Sequence, residues 1–144
     1  MSRKLLLDEY VAKVLKGEIV ASKKVKLACE RHLKDLKRIG SDDFPWVFDE
    51  EKAFRPIKFI ETFCSPSKGD YNKLEMQLWQ HFIVGSVYGW IHKDSGLRRF
   101  KEAVVMVGRK NGKSTLVSGL AIYGASKDGE KGADVHLLAN SMKQ

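Results

Sequence analysis

The residues best suited to chemistry lie in one run, Gly108-Arg109-Lys110-Asn111-Gly112-Lys113-Ser114-Thr115. A glycine-bracketed turn that ends in Lys-Ser and opens a helical pattern has the layout of a phosphate-binding loop. The N–H groups at a helix start converge on one point, and the helix dipole favours an anion there. Gly112 has no side chain to keep the backbone away from a phosphate. Lys113 would reach the β- and γ-phosphates, and the Ser114 hydroxyl would sit on Mg²⁺. The expected ligand is therefore ATP with Mg²⁺. One departure is plain: the usual G-x-x-x-x-G-K spacing places its first glycine at position 107, which is Val107, and Gly108 stands one residue later. The alternative reading is an ordinary strand-to-helix turn with a lysine in solvent.

These residues need rigid elements on both sides. Val104, Val105, Met106 and Val107 form an apolar run of the kind found in strands buried on both faces. Leu116, Val117, Leu120, Ala121 and Gly124 recur at helical spacing after the loop. Ser126–Gly132 reads as a polar turn, and Val135, Leu137 and Leu138 read as a second buried strand. Pairing the two strands in parallel through the helix would give a right-handed βαβ unit. The expected fold class is α/β: a helical N-terminal portion, residues 1–66, then the start of a parallel nucleotide-binding sheet, residues 67–144. The loop Ser65-Pro66-Ser67-Lys68-Gly69-Asp70 separates them.

Upstream, the periodicity is helical. Leu7, Tyr10, Val11, Val14 and Leu15 make an amphipathic stripe that ends at Gly17. Ser22 is the expected N-cap of a second helix, with Val25, Ala28, Cys29, Leu33 and Leu36 as its apolar face. Its other side carries Lys23, Lys24, Lys26, Arg31, Lys34, Lys37 and Arg38, opposed only by Glu30 and Asp35. Such a run is either a solvated face or a contact for DNA phosphates. His32 falls at the edge of the apolar face and reads as a core-edge histidine. Phe44–Phe48 reads as an extended connector, and Asp49 as the cap of a third helix with Ala53, Ile57, Ile60 and Cys64 buried. Pro56 should kink that helix or move its start. Leu74–Trp90 reads as a helix with Trp79, Phe82, Ile83, Val87 and Trp90 on one face. Gln80 lies in it, and its amide has both the donor and the acceptor that an adenine edge requires, although an exposed glutamine is the plainer reading. His92–Gly96 form a turn, and the central strand is expected to begin near Phe100.

Composition sets outer bounds. The chain has 144 residues, is 43% hydrophobic and carries a formal net charge of +8, enough apolar content for one packed domain and a bias toward polyanionic partners. Cys29 and Cys64 have no metal-ligand spacing and suit a reducing compartment. Neither a signal peptide nor a membrane-length apolar run is expected. After Thr115 the acids are Asp128, Glu130 and Asp134, and none follows an apolar strand. An NTPase of this type needs such an acid to help hold Mg²⁺ and another to activate water. The chain therefore reads as a phosphate cradle without its catalytic half, and as a fragment.

Taken together, Gly17–Val20, Val25–His32, Phe48–Glu51, Leu78-Trp79-Gln80, Tyr88-Gly89-Trp90, Gly96–Phe100 and Arg109–Thr115 resemble the N-terminal part of the large terminase subunit of tailed bacteriophages and prophages. In that family Arg-Lys-x-Gly-Lys-Ser replaces the usual glycine spacing. The resemblance implies an ATPase domain followed by a nuclease domain that cuts DNA concatemers. It implies a homo-oligomeric ring working on double-stranded DNA with the portal protein and the small terminase subunit, in the bacterial host cytoplasm and away from membranes. It also implies an adenine-recognition role for Gln80 and a γ-phosphate contact for Arg109, with Gly108, Lys110, Asn111, Gly112, Lys113, Ser114 and Thr115 completing the nucleotide site. No catalytic acid is assigned. The competing expectation is a non-catalytic basic module that contacts DNA or a protein and carries a vestigial phosphate loop.

Overall fold

The computed structural model describes residues 4–64, 74–129 and 136. Among them the elements run α1 (Lys4–Lys16), α2 (Lys23–Arg38), β1 (Trp46–Phe48), α3 (Glu50–Phe63), α4 (Leu78–Gly89), β2 (Trp90–His92) and α5 (Lys113–Ser126). Two compact units emerge, one of Met1–Lys58 with Glu75–Val105, the other of Phe59–Leu74 with Met106–Gln144.

In the first unit α1 packs on α4 and α2. Leu7, Tyr10, Val11 and Val14 are buried as their spacing requires, while Leu15 stays partly in solvent. The Tyr10 and Phe82 rings meet at 5.4 Å. Ser22 caps α2 as expected, its Oγ accepting the Val25 N–H at 3.3 Å. The buried face of α2 departs from the apolar pattern. It is Cys29, His32 and Asp35 that are buried, whereas Leu33 is 40% exposed. Two polar contacts turn the helix this way. Trp90 Nε1–H donates to His32 Nδ1 at 3.2 Å, and Arg99 donates to Asp35 Oδ2 at 2.7 Å. A buried polar group with a good partner is tolerated, so hydrophobic count alone does not set the face.

The connector at Phe44–Phe48 is extended, and its last three residues form β1. They pair antiparallel with β2 in the register Trp46↔His92, Val47↔Ile91 and Phe48↔Trp90. Here the expected helix through Trp90 is corrected at both ends. Residues 74–77 are not helical, and the chain turns into β2 after Gly89, whose carbonyl accepts the Asp49 N–H at 2.8 Å. A chain end paired with β1 gains ladder bonds that one more helical residue would forgo. The fully packed positions of α4 are therefore His81, Phe82, Val84, Gly85 and Gly89 beside Gln80, while Trp79, Ile83 and Val87 are only half-buried.

Asp49 caps α3 through Oδ1, which accepts the Lys52 N–H at 2.9 Å. Glu50 and Glu51 occupy the first turn, and Ala53, Ile57 and Ile60 are buried as expected. Pro56 neither ends the helix nor moves its start. The helix runs through it, with Pro56 itself packed inside, and gives up the one bond that its missing N–H would make.

The second unit joins the end of α3 to α5. A Cβ on Gly119 would lie 2.9 Å from Ile60 Cγ1, so the close approach of the two helices requires glycine there. Leu116 and Tyr123 are buried beside it, and the Tyr123 ring meets Phe59 at 5.5 Å. Val117, expected in this face, is 46% exposed.

The expected buried strand at Val104–Val107 is not formed. Residues 102–108 join no sheet among the described residues, and Val104 and Met106 are 89% and 87% exposed. A strand buried on both faces exists only with neighbours on both sides. The described residues supply none, and no strand begins near Phe100 for the same reason. The second expected strand, Val135, Leu137 and Leu138, lies outside the described residues, as do the loop Ser65–Asp70 and the end of the polar turn. What is seen is a mixed α/β chain of five helices and one small antiparallel pair among the described residues.

Burial lowers the His32 pKa to about 4, the nearby Asp35 charge offsetting only part of the effect. An unfolded histidine titrates near 6.5, so between these values the unfolded chain binds the extra proton. Stability should be full above about pH 6.5 and fall as pH drops toward 4, by on the order of 3 kcal/mol. Urea titrations across that range will show a falling midpoint for the parent chain. In His32→Gln that part of the pH dependence should vanish.

Candidate phosphate-binding loop

The loop is built from α5 backwards. Gly112 is the N-cap of α5 and holds φ 74°, ψ 11°, a left-handed conformation that costs a residue with a Cβ roughly 1–2 kcal/mol. Lys110, two residues earlier, also has positive φ, at 63°. The turn between them is held by Asn111, whose Nδ2 donates to the carbonyls of Gly108 and Arg109, each at 3.2 Å. Asparagine often braces turns with its own side chain, and that habit is the signal by which the bracing role could have been found in the sequence.

The helix start is open. Gly112 accepts the Leu116 N–H at 3.0 Å through its carbonyl, but it places no side-chain cap on the first turn. Among the described residues no group accepts from the N–H of Lys113, Ser114 or Thr115. These are the donors that an α-helix leaves unmatched and points along its axis. No acidic residue lies in the first turn of α5 to neutralise it. Gly108, Arg109, Lys110, Asn111, Gly112, Lys113 and Ser114 are all exposed, and Thr115 is half-buried. Three open amides, three cations and two hydroxyls are thus gathered on one turn in the second unit, a donor set that fits a phosphate chain.

Gln80 belongs to the first unit. It is buried, and its Oε1 accepts the Gln77 N–H at 2.8 Å, which caps the start of α4. Periodicity hid this role, because the cap depends on where α4 begins rather than on the face Gln80 occupies.

What the loop's donor set suits is an anion of the phosphate type. Comparison with known families narrows it: residues 78–144 match the model of the terminase large subunit, ATPase domain. The likeness to the N-terminal part of a large terminase subunit is thereby shown over a segment that holds both Gln80 and the loop. No curated protein and no solved structure matches the chain. Among the described residues, no helix is long and apolar enough to cross a membrane.

Because Gly112 sits where L-residues are strained, Gly112→Ala should weaken the start of α5 by about 1 kcal/mol or more. Amide hydrogen exchange at Leu116–Leu120 would then quicken about fivefold, while exchange in α2 stays unchanged.

Proposed function

We propose that this chain is the ATP-binding front portion of a phage terminase large subunit, the motor that drives double-stranded DNA into procapsids. The supporting observation is the open first turn of α5 behind Gly112, within the segment similar to terminase ATPase domains. In this reading the N–H groups of Lys113, Ser114 and Thr115 bind the phosphate oxygens. Lys113 adds a charge at the terminal phosphates, and Arg109 lies on the same turn to meet the γ-phosphate. The Ser114 hydroxyl would be the group on this turn that holds Mg²⁺, which would offset the phosphate charge. Gly108, Lys110, Asn111 and Gly112 shape the turn, and Gln80 keeps the adenine-reading role that the family resemblance implies. Bound nucleotide supplies the hydrolysable phosphoanhydride. This loop would bind it and hold its phosphate end in place.

The same reading assigns Val104–Val107 to a parallel sheet of the parent protein, with residues 1–66 as its helical preface and 67–144 as the opening of the ATPase domain. The nuclease that trims concatemers, the ring of subunits, the portal protein and the small subunit belong to that parent, in the host cytoplasm.

Titration with a fluorescent ATP analogue in Mg²⁺ tests the site. Binding should weaken about tenfold or more in Lys113→Ala, a loss typical of a charged phosphate contact. Lys113 is exposed, so the helix content by circular dichroism should not change. Equal affinity in the two proteins would remove the phosphate-loop assignment.

A further inference from the structure

The outer face of α2 lies in the first unit, before the segment that matches the terminase family. Its seven basic residues divide into two groups once contacts are known. Arg38 is engaged, bonding Asp43 at 3.1 Å and lying 4.4 Å above the Phe44 ring. Arg31 is also engaged, 4.8 Å above the Phe100 ring. The lysines are not. Lys23, Lys26, Lys34 and Lys37 are exposed and have no partner among the described residues. At 3.6 residues per turn these four fall within about 80° of arc, and the stripe runs about 21 Å along the helix.

Nothing in the helix rewards this arrangement. Glu30 stands four residues from both Lys26 and Lys34 yet pairs with neither. Asp35, the other acid, is turned inward to Arg99. Two of the four, Lys23 and Lys26, sit with Lys24 in the first turn, where the helix dipole is positive and like charge is unfavourable. A solvated face needs charge, but it gains nothing from charge of one sign placed against the dipole.

We propose that the Lys23–Lys26–Lys34–Lys37 stripe of α2 is a docking surface for the phosphate backbone of double-stranded DNA. Its length spans about six phosphates of one strand, at 3.4 Å per charge. The choice of DNA among polyanions rests on the packaging motor proposed above. The surface itself rests on the geometry of α2. Its contacts position a duplex without reading its sequence.

The test compares two quadruple variants of the full chain that lose the same charge. One is Lys23→Gln, Lys26→Gln, Lys34→Gln and Lys37→Gln. The other changes Lys16, Lys52, Lys58 and Lys101, which are exposed elsewhere. Anisotropy of a labelled duplex is followed across a salt series. The stripe variant should lose about tenfold or more in affinity at low salt, and the slope of log K against log salt should flatten by about 3. The control variant should change little. Equal losses in the two variants would assign binding to bulk charge and overturn the proposal. So would absence of salt-sensitive binding, or tighter binding of polyglutamate than of the duplex. Titrating the stripe variant with the ATP analogue separates the two readings, because the stripe lies outside the phosphate loop and nucleotide affinity should hold.

Discussion

The first unit depends on how α2 is rotated, and that rotation is set by two polar contacts rather than by its apolar residues. The Trp90 indole reaches His32 across 58 positions of sequence, and Arg99 reaches Asp35 across 64. Together they fasten α2 to β2 and to the segment that follows it. Around them the His32 ring meets Phe48, Phe82 and Trp90 edge-on at 5.3–6.1 Å. The Arg99 guanidinium lies 5.1–5.8 Å from the rings of Phe44, Trp46, Trp90 and Phe100. An ion pair surrounded by aromatic faces loses water that would otherwise screen it, so each contact strengthens the other. The rotation that buries His32 and Asp35 is also the one that leaves the lysines outside.

Much of this could be read from residue types alone, and the rest could not for identifiable reasons. The caps at Ser22 and Asp49 were legible because capping is a local bond between neighbours. Most of the buried stripes of α1 and α3 was legible because apolar spacing and burial coincide there, but Leu15 is exposed and Cys64 lies half-buried past the end of α3. The face of α2 was not, since a histidine and an aspartate become core residues only when a distant tryptophan and arginine arrive to satisfy them. The end of α4 was missed for a similar reason: Trp90 suits a helix face, and only pairing with β1 makes it a strand.

The loop shows the same division. The open helix start, the glycine at the cap and the flanking cations follow from Gly112-Lys113-Ser114 in its context. The brace supplied by Asn111 and the cap supplied by Gln80 do not, because both depend on backbone angles that residue identity only biases. The Val104–Val107 run was read by its composition as a buried strand. Composition records what a segment suits, while burial requires the partner strands as well.

Three helix starts bring these points together. At α3 the chain supplies its own negative charge, with Asp49 at the cap and Glu50 and Glu51 in the first turn. At α2 and α5 it supplies none: the first turns carry Lys23, Lys24 and Lys26 in one case and Lys113 in the other. A protein selected only for helix stability would favour the α3 solution at every start, since acids there gain from the dipole and lysines lose. The first turns of α1 and α4 also lack acids, but at α2 and α5 the outward groups form a single array of donors and positive charge. At α5 that array is a turn of open amides, suited to a compact anion such as the end of a nucleotide. At α2 it is a stripe four lysines long, suited to an extended one. The difference in shape follows from the backbone: Gly112 concentrates donors at a point, while a regular helix face can only spread them along a line.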